Sequence, residues 1–202
     1  MIFTDKNSFQ LSGIQASGQV AFVTPGLVII KNDVQLDEVI ISAGKVMIED
    51  NFAGNIQVFC RDSIIVGKNC NLEYPSSLVI YNEGVNPVYI ELGESSIMEG
   101  IIICRQTQTS TAAPYLKIGK LAKVVGQLYH NGTTELGGII HGSLICRSFY
   151  LKTRKAYYID HLSDNEIDFL KLPKSFVGID FQNGYNDQIA GYLEESFVEV
   201  NE

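Results

Sequence analysis

With 202 residues, 46% of them apolar, 18 Gly, 5 Pro and no Trp, the chain is long enough for one well-filled domain and too apolar for disorder. A formal net charge of -8 argues against nucleic acid as a partner, because phosphate binding needs clustered Lys and Arg. The longest apolar runs are short, as in Leu27–Ile30, so no transmembrane helix and no secretory leader is expected.

Residues 8–48 read as brief strands rich in Val and Ile: Phe9–Leu11, Gln19–Val23, Gly26–Ile30, Val39–Ile41 and Lys45–Ile48. Gly13, Gly18, Pro25-Gly26, Asn32-Asp33 and Ala43-Gly44 punctuate them, and no helical period is visible. From Glu49 the chain repeats itself. Gly54–Arg61, Gly100–Arg105 and Gly142–Arg147 each start with Gly, run through apolar residues and end in Cys-Arg. Their cysteines, Cys60, Cys104 and Cys146, are 44 and 42 residues apart. A second series ends in Gly67, Gly93, Gly119 and Gly137, spaced 26, 26 and 18. Counting back 18 from Gly67 reaches Glu49, just after Val46–Ile48. The basic period is therefore 18, and two repeats are about eight residues longer, which is the mark of stacked supersecondary units. The fold class expected is all-β, a β-solenoid with rungs of about 18 residues.

Alternation along each short strand then assigns the interior. Ile56, Val58, Cys60, Ile64 and Val66 point inward from rung 49–66, and Leu72, Leu78, Ile80, Ile90 and Leu92 from rung 67–92. Ile97, Ile101, Ile103, Leu116 and Ile118 are expected inside rung 93–118, and Leu121, Val124, Leu128 and Leu136 inside rung 119–136. The next rung contributes Ile139, Leu144, Cys146, Phe149 and Leu151. The two long rungs carry loops, Asn82–Pro87 and Gln106–Pro114. After Thr153 the pattern changes. Ser163-Asp-Asn-Glu166 is a capping box ahead of Ile167, Phe169 and Leu170, and it predicts a helix over 164–171 that Pro173 stops. Phe176–Phe181 reads as a strand, Asn183-Gly184 as a turn and Ile189–Val200 as a returning strand. The chain thus divides into a solenoid, 1–155, and an extension, 156–202, that caps the open sheet edge or serves as an interaction module.

The stretch Gln127–Thr153, with Gly137-Gly-Ile-Ile-His-Gly-Ser-Leu-Ile-Cys-Arg147 at its centre, resembles the bactofilin-like, polymer-forming β-solenoids of bacteria. Their glycine-spaced runs of Ile, Leu and Val match best over 93–153, about half of this chain. The resemblance implies a right-handed parallel β-helix and a structural or scaffolding role in the bacterial cytoskeleton or cell envelope, often with end-to-end assembly. The long loops, the extension of almost fifty residues and the irregular early glycines depart from that pattern and weigh against free polymerisation.

Chemistry is sparse. Cys60 and Cys104 fall two rungs apart, about 9 to 10 Å, beyond disulfide reach, so reduced cysteines that fill the interior are expected. The cysteine spacing also lacks a zinc motif, so no metal is assigned. His130 occupies the rung offset of Cys60 and Cys104, at a corner or partly inside, and His141 is expected to face out. Arg61, Arg105 and Arg147 fall into one column with Phe59, Tyr129 and Phe149 as neighbours, a possible binding face. Glu91 and Glu135 both precede a Leu-Gly step and are expected on one exterior face able to take glycan or anion. The sequence contains no Gly-x-Ser-x-Gly elbow and no phosphate loop. No catalytic residue and no cofactor is therefore assigned, and the balance is against an enzyme. Two readings stand: a scaffold, whether cytoplasmic or envelope-associated, that binds itself or another envelope or cytoskeletal protein, and a carbohydrate-binding or carbohydrate-processing solenoid that uses the Arg and aromatic face.

Overall fold

The computed structural model describes residues 1–108, 113–153, 155–162 and 165–179. Short strands come first: β1 (Ile2–Thr4), β2 (Ser8–Leu11), β3 (Gln15–Ser17), β4 (Ala21–Val23) and β5 (Leu27–Ile30). Three long ones follow, β6 (Gln35–Ile48), β7 (Ala53–Val66) and β8 (Asn71–Asn82). Beyond them lie β9 (Tyr89–Leu92), β10 (Ile97–Gln106), β11 (Tyr115–Ile118), β12 (Lys123–His130), β13 (Thr133–Leu136) and β14 (Ile139–Ile145). The last elements among the described residues are β15 (Ser148–Lys152), β16 (Tyr157–Ile159), β17 (Glu166–Ile167) and a 3-10 turn, Phe169–Lys171. The 17 strands among the described residues belong to one curled sheet. Its pairings among the described residues are parallel, except that β15 meets β16 antiparallel.

Parallel pairing places like residues above one another, and the partners follow the glycine spacing. Val66 pairs with Leu92, Leu92 with Ile118 and Ile118 with Leu136, offsets of 26, 26 and 18. Elsewhere the offset is not constant: Ile102 pairs with Leu128 at 26, and Leu128 with Leu144 at 16. In other pairs the register itself shifts, between Leu36 and Val39, Ala43 and Lys45, Gly54 and Gln57, and Met98 and Gly100.

The core is a set of columns running across the strands. One is Ile41, Val58, Leu78, Ile102, Leu128 and Leu144. Another is Ile30, Ile48, Val66, Leu92, Ile118 and Leu136. Most of these side chains are fully buried. Burying each Leu, Ile or Val contributes roughly 1.5 to 3 kcal/mol, so the columns dominate the favourable side of folding. One column needs glycine. Gly100, Gly126 and Gly142 are in register, with φ of 145°, 155° and 150°. A Cβ on Gly126 would stand 1.8 Å from the Gly100 carbonyl oxygen. Gly54 does not belong here, because it pairs with Leu36 and Leu72. Gly126, four residues before His130, takes its place in the repeated word.

Several expected inward residues are corrected. In β10 the phase is opposite: Met98, Ile102 and Cys104 are buried, while Ile97, Ile101 and Ile103 face outward. The run is apolar on both faces, so alternation cannot choose between them, and a one-residue slip exchanges every side chain. Ile140, not Ile139, is the buried member in β14. Leu121 is 83% exposed with φ 58°, and the neighbouring Ala122 is buried. It occupies a left-handed corner in line with Asn51, Asn69 and Ser95, whose N–H groups donate to Lys68, Glu94 and Lys120 carbonyls.

The expected helix over 164–171 shrinks to the single turn Phe169–Lys171. Its first residues, Ser163 and Asp164, lie outside the described residues. Glu166 and Ile167 instead pair with Ile139 and Ile140, so the sheet edge takes the residues that would have started the helix. Asp168 caps the turn by accepting from the Leu170 N–H at 2.9 Å. A short helix depends on burying one apolar face, and Phe169 and Leu170 are both exposed here. Phe176–Ile179 form no strand, and the rest of that expectation, together with Ile189–Val200, lies outside the described residues.

Candidate functional site

The outward face of β7, β8, β10, β12 and β14 holds most of the anticipated binding residues. Phe59 pairs with Val79, Val79 with Ile103, Ile103 with Tyr129, and Tyr129 with Ile145. Parallel register thus turns separate hydrophobic residues into an outer stripe, whose ends, Phe59 and Ile145, are each about half exposed. Arg61 lies two residues past Phe59, is exposed, and donates to the Pro25 carbonyl at 3.2 Å. Arg105 pairs with Tyr81. Arg147 is exposed just beyond β14. A shallow groove of about 530 Å³ adjoins Phe59, Arg61, Val79 and Tyr81. Phe149 does not join this face. It pairs with Thr134 and ends the interior column of Val46, Ile64, Ile90 and Leu116.

The second outward face, on β9, β11 and β13, brings Glu91, Lys117 and Glu135 into one register, which places both anticipated carboxylates in line. Lys117 Nζ is 2.7 Å from Glu91 Oε1. Tyr89 donates its hydroxyl to Glu91 at 2.5 Å, and Tyr115 donates to Glu135. Partial burial works to raise the Glu91 carboxyl, but the Lys117 and Tyr89 donors outweigh it and hold Glu91 below the ordinary carboxylate range. Burial and the neighbouring carboxylates push both tyrosine hydroxyls up, so they remain protonated donors. Tyr89 and Tyr115 stack with ring centroids 5.8 Å apart. A groove of about 920 Å³ runs beside them over Gly67, Gly93, Gly119 and Gly137, with Lys68, Glu94 and Lys120 on its rim.

His130 lies inside. It stands in the column of Ala43, Cys60, Ile80 and Cys104, with 1% of its surface exposed. Nδ1 is 3.2 Å from the Cys104 carbonyl oxygen and Nε2 is 3.0 Å from that of Thr133. Burial holds its pKa below the usual 6.5, and the carbonyls of Thr133, Cys104 and Pro114 oppose that effect. Burial also pushes the Cys104 thiol up to about 12, which keeps it an inert packing group. The four cysteines are unbridged, and Ile80 separates Cys60 from Cys104 in the column. His141 lies on the outward side of β14, as expected, but is largely covered there, 3.5 Å from Glu166.

Among the described residues no cluster of three or more His, Cys, Asp or Glu is placed to hold a metal, and no helix is long and apolar enough to cross a membrane. Sequence reasoning did not find the tyrosine ladder. The signal was present in Tyr89 and Tyr115, each two residues before a charged residue in the Gly93 and Gly119 repeats. No family model matches the chain, and neither do curated proteins or solved structures.

Proposed function

We propose that the curled sheet is a right-handed parallel β-helix and that the protein is a non-enzymatic, bactofilin-like scaffold which binds itself or another cytoskeletal or envelope protein. The observation that carries this reading is the apolar character of both ends. At one end β1 pairs, among the described residues, with β4 alone, and Met1, Ile2 and Phe3 are exposed. At the other, Tyr157, Ile159, Phe169 and Leu170 are exposed around β16 and β17. Such ends favour contact with another chain, because sheet edges and apolar patches both gain from being covered. Sedimentation across a concentration series, with negative-stain microscopy, tests the reading. Discrete or extended assemblies are expected. A monomer at every concentration, with no partner recovered from cells, refutes it.

A second reading is carbohydrate binding, supported by Phe59 and Tyr129 sharing one outer column beside Arg61 and Arg105. Exposed aromatic rings and arginines suit sugar faces and acidic sugars. Binding on a glycan array that is lost in Phe59→Ala supports it, and silence toward acidic and neutral polysaccharides removes it.

A further inference from the structure

The chain has a formal net charge of -8, yet the groove beside the stacked tyrosines is balanced: four carboxylates and four lysines line it. They form two ladders. The inner one is the register Glu91, Lys117 and Glu135. The rim ladder is Asp50, Lys68, Glu94 and Lys120; the Lys68 N–H donates to Asp50 at 2.8 Å, and Lys68 Nζ is 3.0 Å from Glu94. Glu94 stands three residues after Glu91 and Lys120 three after Lys117, so each of these pairs shares a layer. Lys152, on β15, lines the groove one layer beyond Glu135. From Asp50 to Lys152 the layers therefore run negative, positive, doubly negative, doubly positive, negative, positive.

This order is antisymmetric about its midpoint. Turned end for end, it becomes the same series with every sign reversed. A two-fold axis through the groove floor, between Gly93 and Gly119, makes that turn and lays the rim ladder of each copy over the inner ladder of the other. Asp50 then faces the partner's Lys152, Lys68 the partner's Glu135, Glu94 the partner's Lys117 and Lys120 the partner's Glu91. The register is fixed as well. A slip of one layer, about 4.8 Å, sets Lys68 against the partner's Lys117 and Glu94 against the partner's Glu91, which are like charges. The bonds of Lys68 to Glu94 and of Lys117 to Glu91 within one chain do not close the site. An ammonium has three donors and a carboxylate about four acceptor sites, so each takes a second partner. The Lys68 and Glu94 side chains are more than half exposed.

We propose that this groove is a side-by-side docking surface and that its occupant is a second copy of the chain, related by that two-fold axis. Such an interface must be self-complementary, and the order of charges here is. Exposed ion pairs contribute little singly, so the dimer is expected to be weak and to depend on the whole network. The contact is separate from the apolar ends and does not rest on the scaffold reading.

Sedimentation and light scattering of the full-length protein across a concentration series test it. A dimer is expected at about 0.15 M salt. Raising salt to about 0.5 M shortens the Debye length from about 8 to roughly 4 Å and should weaken the dimer about fivefold. Glu94→Lys should weaken it about tenfold, although it makes the chain less negative overall, because two lysines then face each other twice across the axis. Lys117→Glu should do the same with carboxylates. An equimolar mixture of the two variants should regain the dimer, since each reversed charge then meets its opposite. Thermal melts of both must match the parent; should either fall, Glu94→Gln, which only removes a charge at an exposed position, should still weaken the dimer about threefold. Association indifferent to salt and to both reversals would assign the contact to the apolar ends and overturn the proposal. So would a mixture no more associated than its components, or a full-length chain that stays monomeric at about 0.15 M salt.

Discussion

Strands β7 to β14 and the segment after β14 treat apolar side chains in opposite ways. In the middle of the sheet, Leu78, Ile102 and Leu128 each have a paired neighbour above and below and are essentially removed from water. From Leu144 in β14 onward the cover runs out: Leu144 and Phe149 are half covered, Ile167 is exposed, and Leu170 is 91% exposed. The residue types hardly differ. The number of flanking strands does, because a stacked column buries a side chain only when layers exist on both sides. Interior columns therefore hold the stability of this protein, while its ends hold the surface available for contact.

The sharpest way to break this comparison is to put the same charge in both regions. Leu128→Asp forces a carboxylate between Ile102 and Leu144 and is expected to unfold the protein, since an unpaired buried charge costs several kcal/mol against a total stability of about 5 to 15. Leu170→Asp should change stability by less than about 0.5 kcal/mol. Thermal melts of the two variants, recorded together, check the contrast; similar melting points would mean the interior assignment is wrong.

Gly126→Ala should cost more than about 3 kcal/mol, because its Cβ meets the Gly100 carbonyl at 1.8 Å on a backbone with φ 155°. Urea titration measures this, and a loss below about 1 kcal/mol would show that the backbone there shifts freely.

Removing residues 156–202 strips β16 and β17 from β15 and β14 and leaves their edges unpaired. The shortened chain is expected to form concentration-dependent oligomers in light scattering while the full chain stays a small discrete species. If it remains monomeric and folded, the extension is a binding element and not a cap.

His130 sets a milder dependence on pH. Burial depresses its folded pKa below the unfolded 6.5, so the unfolded chain binds the proton first. Its contribution is complete above about pH 6.5 and is lost as pH falls from there through the folded pKa. Melting temperature should drop between pH 7.5 and 5.5, and His130→Cys, which restores the residue type of Cys104 in the same column, should flatten that drop. An unchanged slope in the variant would remove His130 as the cause.

A modest gain in stability is expected at Leu121. Its left-handed φ of 58° costs an ordinary residue about 1 kcal/mol, and its exposed side chain loses no packing when replaced. Leu121→Asn should raise the melting temperature by about 2 to 4 °C. A fall would show that Leu121 makes contacts beyond those of an exposed corner.

Much of the sheet was legible as a repeat. The Gly67, Gly93, Gly119 and Gly137 spacing predicted the register of Val66, Leu92, Ile118 and Leu136, and the offset shared with Cys104 pointed to the position of His130. Both were readable because parallel stacking requires equivalent residues at equivalent places, and the chain encodes that requirement directly. The Arg and aromatic face was half legible: Phe59 and Tyr129 share an outer column, while Phe149, assigned both to the interior of its rung and to this face, ends an interior column and leaves the face.

By itself, then, the sequence determined the all-β class, the repeat and most of the buried columns, since periodic glycines and β-branched residues are local properties of the chain. Only the tertiary structure decided which face of the all-apolar β10 points inward, that Leu121 turns a corner, and that Glu166 and Ile167 become sheet edge and not helix. In each case two local solutions had similar propensity, and the choice fell to the neighbouring strand, whose hydrogen bonds and apolar cover are fixed in space and leave no mark on the residues they select.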